Sequence, residues 1–122
     1  MVTAFFVILF SLTAVNANDF ELVIKKVEQI NEEEITIQYS VINRRNYNRN
    51  NVSLAFKILE EDIPVGCKEI KTTIPKGSDG SDIKETKIKI SGKGKNLKIN
   101  STIFYITKRY RIDEWFSGCP NY

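Results

Sequence analysis

The chain of 122 residues carries 18 Lys and Arg against 15 Asp and Glu, for a formal net charge of +3, and it contains no histidine. This length fits one domain with a modest core, and the mild positive charge falls well short of the basic surface that nucleic-acid binding requires. Without histidine there is no Ser-His or Cys-His pair and no His-ligated metal, so we predict a protein that is not an enzyme and has no cofactor.

Residues 1–17, MVTAFFVILFSLTAVNA, carry no charged side chain and include an apolar run from Ala4 to Leu12. Val15 and Ala17 occupy the positions that signal peptidase reads. Because the run is shorter than the ~20 residues of a spanning helix, we predict a cleaved signal peptide and a secreted domain of residues 18–122. An uncleaved membrane anchor is the alternative. No later stretch is apolar enough to span a bilayer, so the mature protein should have no transmembrane segment.

Strict alternation of apolar and polar residues predicts two half-buried strands, in EITIQYSVIN and in VSLAFKI. A helix would instead repeat near every 3.6 residues. The side chains expected to face the core are Ile35, Ile37, Tyr39 and Val41 in the first segment, and Val52, Leu54, Phe56 and Ile58 in the second.

Four further segments have weaker strand patterns. Residues 20–30 lose the alternation near Lys25-Lys26, where a β-bulge would restore it. Residues 67–75 end at a proline, and residues 86–90 form a short alternating run. Residues 96–112 are long enough for two strands, the second containing Tyr110 and Ile112.

Polar, turn-forming stretches separate these segments, at residues 31–34, 43–51, 75–82 and 91–96. We expect the last of them, SGKGKN, to close a hairpin. About seven short strands predict an all-β fold, a single antiparallel β-sandwich with one disulfide. It resembles the immunoglobulin and fibronectin-III sandwiches in architecture alone, because the cysteine–tryptophan–cysteine spacing of immunoglobulin domains is missing.

Two cysteines are present in the sequence, Cys67 and Cys119. In a secreted protein two cysteines usually pair. The bridge would close a loop of about 50 residues and contribute ~4 kcal/mol to stability by restricting the unfolded state. Two free thiols, or a bond to another protein molecule, are the alternatives.

Two Asn-x-Ser/Thr triplets predict N-glycosylation, at Asn51 and at Asn100. Such triplets also arise by chance in a sequence rich in asparagine. A glycan at either position would mark that position as surface and would not by itself identify a function.

Lysines occupy nearly every second position between Lys84 and Asn100. Pleating alone explains this pattern if Thr86, Ile88 and Ile90 face the core. The alternative is a basic face on one hairpin, which would bind a sulfated glycosaminoglycan or another anionic surface. The side chains of that face would be Lys84, Lys87, Lys89, Lys93, Lys95 and Lys98.

The stretch RRNYNRNN has the composition of an antibody binding loop, a rigid aromatic among adaptable polar residues. Its candidate partner contacts are Arg45, Tyr47 and Arg49. Loops at the end of a rigid sandwich are a common place for binding residues. An ordinary polar loop is the alternative.

The stretch RYRIDEWF near the C-terminus contains residue types that are enriched at interface hot spots. Its candidate partner contacts are Arg109, Tyr110, Arg111 and Trp115. The alternative is that Trp115 and Phe116 pack over the disulfide.

Together these features predict a small secreted protein that binds an extracellular protein through end loops or the C-terminal strand. Salivary, venom and host-directed effector proteins are often small secreted binding proteins of this kind. The comparison rests on the kind of protein and not on a shared motif. One alternative is binding of sulfated glycans through the lysine-rich hairpin of residues 84–98. The other is carriage of a lipid or small apolar ligand in a cavity between the sheets.

Overall fold

The structure of the protein, a computed structural model, describes residues 19–105 and 109–120. The predicted signal peptide of residues 1–17 lies outside the described residues. Six strands and one short helix follow in sequence order. They are β1 (Phe20–Asn31), β2 (Glu34–Asn43), β3 (Arg49–Glu60), β4 (Ile63–Ile74), β5 (Lys84–Lys89), β6 (Leu97–Tyr105) and α1 (Arg109–Trp115).

The strands form two antiparallel sheets of three strands, which we call sheet 1 (β1-β2-β5) and sheet 2 (β4-β3-β6). All six strands contribute apolar side chains to one core between the sheets, so the predicted all-β sandwich is confirmed. Lettered A, B, C, C′, E and F in sequence order, the strands pair as A-B-E and C′-C-F. Among the described residues, this order resembles that of immunoglobulin-type sandwiches without strands D and G.

The alternation in β2 and β3 is confirmed by burial, since all eight side chains predicted to face the core are buried. β1 also shows its predicted irregularity, because its register with β2 shifts between Ile24 and Lys26. The bulge returns Val27 to the core side, where it packs against the main cluster. The strand positions therefore follow from residue pattern alone in the first half of the domain.

The predicted seventh strand is instead the helix α1. Ile112 and Phe116 are four residues apart, so a helix places them on one face, and both are buried against Ala55 on the outer face of sheet 2. Arg109 and Asp113 form an ion pair of 3.2 Å across the same spacing. A helix of 7 residues does not persist alone in water. Packing on the sheet therefore decides this conformation, and no local pattern indicates it.

The predicted disulfide between Cys67 and Cys119 is formed, with Cα atoms 6.0 Å apart. Cys67 lies on β4 and Cys119 follows α1, so the bridge fastens the C-terminal segment to the outer face of sheet 2. α1 therefore forms a third layer over a sheet whose other face is already the core.

The predicted hairpin at residues 91–96 is not formed, because β5 pairs with β2 and β6 pairs with β3. Residues 90–96 cross from sheet 1 to sheet 2. The Glu60 carboxylate accepts hydrogen bonds from the Lys93 and Lys95 amides, at 2.9 and 3.3 Å. The crossing begins close to Gly66 of β4. The backbone of Lys89 lies so near this glycine that a Cβ added to Gly66 would be only 2.8 Å from the Lys89 carbonyl oxygen. Alternation on both sides of a loop cannot distinguish a hairpin from such a crossing.

Replacing Ile112 with alanine tests the helical phase of α1. We expect Ile112→Ala to lower the free energy of unfolding by about 2–5 kcal/mol, because the side chain is fully buried. Glu114→Ala is the matched control, and we expect it to change stability by less than about 0.5 kcal/mol, since Glu114 is exposed. Urea denaturation of the oxidised protein measures both. In a strand, residues 112 and 114 would share a face, so equal losses would contradict the helix.

Candidate binding surface at the loop end

One end of the sandwich gathers the start of β1, the β2–β3 loop, the β4–β5 loop and the end of β6. The register brings these segments together, because Phe20 pairs with Asn43, Arg49 with Ile74, and Val52 with Tyr105. We call this region the loop end. Two of the predicted contacts, Arg45 and Tyr47, lie in its β2–β3 loop, and the third, Arg49, begins β3.

The amide of Asn43 fixes the conformation of the β2–β3 loop. This side chain is 5% exposed, and its Nδ2 donates hydrogen bonds to the carbonyl oxygens of Tyr47 at 2.9 Å and Ile74 at 3.0 Å. Its Oδ1 accepts one from the Arg45 amide at 2.8 Å. A loop held in this way loses little conformational entropy on binding a partner.

Tyr47 is the exposed aromatic residue of this loop, with 44% of its surface accessible. Its ring meets the edge of Phe20 at a centroid distance of 6.3 Å. Beside it the guanidinium of Arg49 lies over the Tyr105 ring at 3.8 Å and near the Phe20 ring at 5.9 Å. These aromatic and arginine side chains therefore form one continuous cluster. Together with Arg45 of the same loop, they are what we call the loop-end surface: Phe20, Arg45, Tyr47, Arg49 and Tyr105.

Ion pairs join the β2–β3 loop to the start of the domain. Arg45 Nε lies 2.9 Å from an Asp19 carboxylate oxygen, and Arg44 Nη2 lies 2.9 Å from a Glu21 carboxylate oxygen. Each of these side chains is between 30% and 52% exposed, and such pairs contribute about 0–1 kcal/mol. Their main effect is to neutralise two of the positive charges at this end.

The C-terminal candidates do not join the loop-end surface, because α1 places them on the outer face of sheet 2. Arg109 donates two hydrogen bonds, of 2.8 and 2.9 Å, to the carboxylate of Glu69. That carboxylate is 9% exposed and also accepts a hydrogen bond from Ser53 Oγ at 2.5 Å. Tyr110 is 66% exposed, and Arg111 Nε donates to its hydroxyl at 3.2 Å.

Trp115 has the contacts of a packing residue. Its ring meets Phe104 at 5.9 Å and Phe116 at 4.9 Å, both edge-on. The Lys57 ammonium lies 4.3 Å from the same ring and donates to the Trp115 carbonyl oxygen at 2.6 Å. Burial in this position lowers the pKa of Lys57. These contacts agree with the alternative interpretation of the sequence, in which Trp115 is a packing residue and not a partner contact.

The structure does not bring the six predicted lysines onto one face. Lys87 and Lys89 are exposed on the outer side of sheet 1, whereas Lys98 lies on sheet 2 and pairs with Asp62 at 3.3 Å. Lys84 is opposite Tyr39 on the core side of β5 and pairs with Asp82 at 3.2 Å. The remaining two, Lys93 and Lys95, belong to the crossing between the sheets.

Both asparagines of the predicted glycosylation sites are exposed. Asn51 has a φ of 59° at the irregularity in β3, a left-handed conformation that asparagine tolerates better than most residues. Asn100 stands on the outer side of sheet 2, opposite Lys57. Accessibility is the condition for modification, and glycosylation of either site stays a prediction.

A cleft of about 260 Å³ opens beside residues 75–82, where the edges of the two sheets approach each other. Val41 and Leu54 form its apolar part, and the Tyr39 side chain, with hydroxyls of the β4–β5 loop, supplies polar groups. Burial raises the pKa of Tyr39, and the nearby charge of Lys84 partly offsets that rise. No sequence motif indicates this cleft, because its walls come from three separate stretches of the sequence, at residues 39–41, 54 and 72–84.

Among residues 19–105 and 109–120 there is no group of three or more side chains suited to hold a metal ion. No helix in the same residues is long and apolar enough to cross a membrane. Comparison with protein-family models, curated proteins and solved structures finds no match to this protein.

Replacing Asn43 tests whether its amide fixes the loop end. We expect Asn43→Ala to lower the free energy of unfolding by about 1–3 kcal/mol, because it leaves a buried carbonyl without its donor. Hydrogen exchange of the amides of residues 44–48 should become faster. Asn48→Ala is the control, since this exposed side chain accepts one bond, from the Lys76 amide, and should cost less than about 1 kcal/mol. Unchanged exchange in Asn43→Ala would contradict this role.

Proposed function

We propose that this protein is a secreted binding protein that engages an extracellular protein through the loop-end surface. The observation that carries the proposal is an exposed tyrosine, beside an aromatic-stacked arginine, on a loop that buried hydrogen bonds hold in place. Tyrosine and arginine dominate interface hot spots because they combine large apolar area with hydrogen-bonding groups. The disulfide supports an extracellular location, since such bridges persist in oxidising compartments.

The loop end is a better binding surface than α1. Of the predicted helix contacts, Arg109 is bonded to a nearly buried carboxylate and Trp115 is packed between rings. Using either for a partner would first break contacts that hold the helix on the sheet. At the loop end, by contrast, Tyr47 projects from the fixed loop and leaves part of its ring accessible.

A pull-down with single variants tests this proposal. Immobilised glycosylated protein is incubated with extracellular fluid from its source, and bound proteins are quantified by mass spectrometry. We expect Tyr47→Ala to reduce capture of the specific partner at least about tenfold, as hot-spot truncation does. Tyr110→Ala is the matched control, since it removes an equally large exposed ring from α1. The proposal fails if capture depends on Tyr110 or on neither tyrosine.

The cleft beside residues 75–82 favours a second candidate, the binding of a small ligand between the sheets. Its volume of about 260 Å³ lies just below the roughly 300–1,000 Å³ of typical ligand sites. The cleft would therefore suit a compact molecule with polar groups better than a long acyl tail.

Native mass spectrometry of the deglycosylated, secreted protein tests this second candidate. We expect a bound small molecule that is absent from Thr72→Trp, in which the larger ring fills part of the cleft. Lys71→Trp is the control, because it adds the same ring at an exposed neighbouring position outside the cleft. A ligand-free wild-type protein, or a ligand that survives Thr72→Trp, would contradict binding in this cleft.

A further inference from the structure

We infer that Arg49 is a binding site for a carboxylate group, presented by an acidic segment of the partner protein. This inference rests on the proposed function for the nature of the partner, and it adds the chemical group that the partner must supply. Three features of Arg49 carry it: the stacking of its guanidinium, the lack of an acceptor, and the neutralised charges around it.

The guanidinium of Arg49 is held in place before any ligand arrives. Its Cζ lies 3.8 Å from the centre of the Tyr105 ring and 5.9 Å from that of Phe20. Rings on β1 and β6 therefore restrict the side chain that begins β3. A stacked guanidinium keeps its N–H groups in the plane of the fork, where they can bind the two oxygens of a carboxylate. Because the stacking has already ordered the side chain, binding loses little rotamer entropy.

Arg49 differs from the other arginines of the domain in having no acceptor within residues 19–105 and 109–120. Arg44, Arg45 and Arg109 contact carboxylates at 2.8 to 2.9 Å, and Arg111 bonds to a tyrosine hydroxyl. Among the described residues, Arg49 has neither an ion pair nor a side-chain hydrogen bond, and its Nε is fully buried. A buried donor without an acceptor is rare in native proteins and calls for an explanation. A ligand carboxylate on the two Nη groups would supply the missing counter-charge, whereas the buried Nε itself stays out of its reach.

The surrounding charges favour a single carboxylate over a polyanion. Arg44 and Arg45 are already paired with Glu21 and Asp19, so the arginine cluster presents about one uncompensated guanidinium rather than three. A sulfated glycan gains affinity from many cations acting together. One planar fork between aromatic rings instead matches one glutamate, one aspartate or a free C-terminal carboxylate, with apolar neighbours packed on the rings.

The test follows the Nε–Hε signal of Arg49 in ¹⁵N-correlated spectra of the mature, oxidised protein. The probe is acetyl-Glu-Glu-Glu-Glu-amide, compared with its glutamine counterpart and with sodium sulfate at equal ionic strength. We expect the glutamate peptide to shift this signal in a saturable way and the glutamine peptide to leave it unchanged. Arg49→Lys lacks the Nε–Hε signal and is followed by its backbone amide shifts at the start of β3; it should weaken the peptide's affinity about tenfold by removing the fork. Arg111→Lys, on α1, should leave it unchanged.

Two results would overturn the inference: no saturable shift with the glutamate peptide, or an equal shift with sulfate at matched ionic strength. The first of these, found together with Tyr47-dependent capture of a protein, would leave the proposed function standing and remove only the carboxylate site. Saturable peptide binding without any Tyr47-dependent capture would instead keep the site and remove the proposed function.

Discussion

Strand β3 is buried on both faces over residues 52–56, and the placement of sheet 1 and of α1 follows from covering those two faces. Val52, Leu54 and Phe56 point into the core between the sheets, whereas Ser53 and Ala55 point outward and are equally inaccessible. Sheet 1 covers the first face. The second face carries the small side chains of Ser53 and Ala55, which leave room for a helix to approach the sheet closely. Ile112 of α1 and Phe116, which follows the helix, fill that space. A two-layer sandwich would leave this face in water, so the domain needs its C-terminal segment as a third layer.

Polar contacts at both ends of α1 determine where it lies. Near its start, the Glu69 carboxylate receives Arg109 and Ser53 together. At its end, the Lys57 ammonium meets the Trp115 carbonyl oxygen, where a positive charge complements the helix dipole. Removing one partner of a nearly buried pair leaves an uncompensated charge, so such pairs restrict a helix to one position even when they add little net stability. Arg109 is thereby committed to attaching α1 to sheet 2, and the Lys57 ammonium holds the other end of the helix in the same way.

Sequence pattern predicts those parts of this fold that one strand determines by itself. The faces of β2 and β3, the bulge in β1 and the pairing of Cys67 with Cys119 all follow from alternation or from cysteine number. α1 does not, because its conformation depends on the sheet beneath it. The crossing between β5 and β6 could not be predicted either, because a glycine-rich loop between two alternating runs can close a hairpin or connect two sheets. At the candidate site, composition singled out Arg45, Tyr47 and Arg49, but it could not show that Tyr105, more than fifty residues away, lies beneath Arg49.

The buried amide of Asn43 connects the stability of the fold to the shape of the loop end. It bonds to the β2–β3 loop and to the last carbonyl of β4, so the loop is anchored to both sheets at once. Tyr47 and Arg49 are therefore presented by a rigid base, as a binding surface with a low entropic penalty requires. A glycan on Asn51, two residues beyond Arg49, would stand beside this surface and restrict the directions from which a partner can approach. A slender acidic segment would reach the Arg49 guanidinium past such a glycan more easily than a broad, flat protein face would.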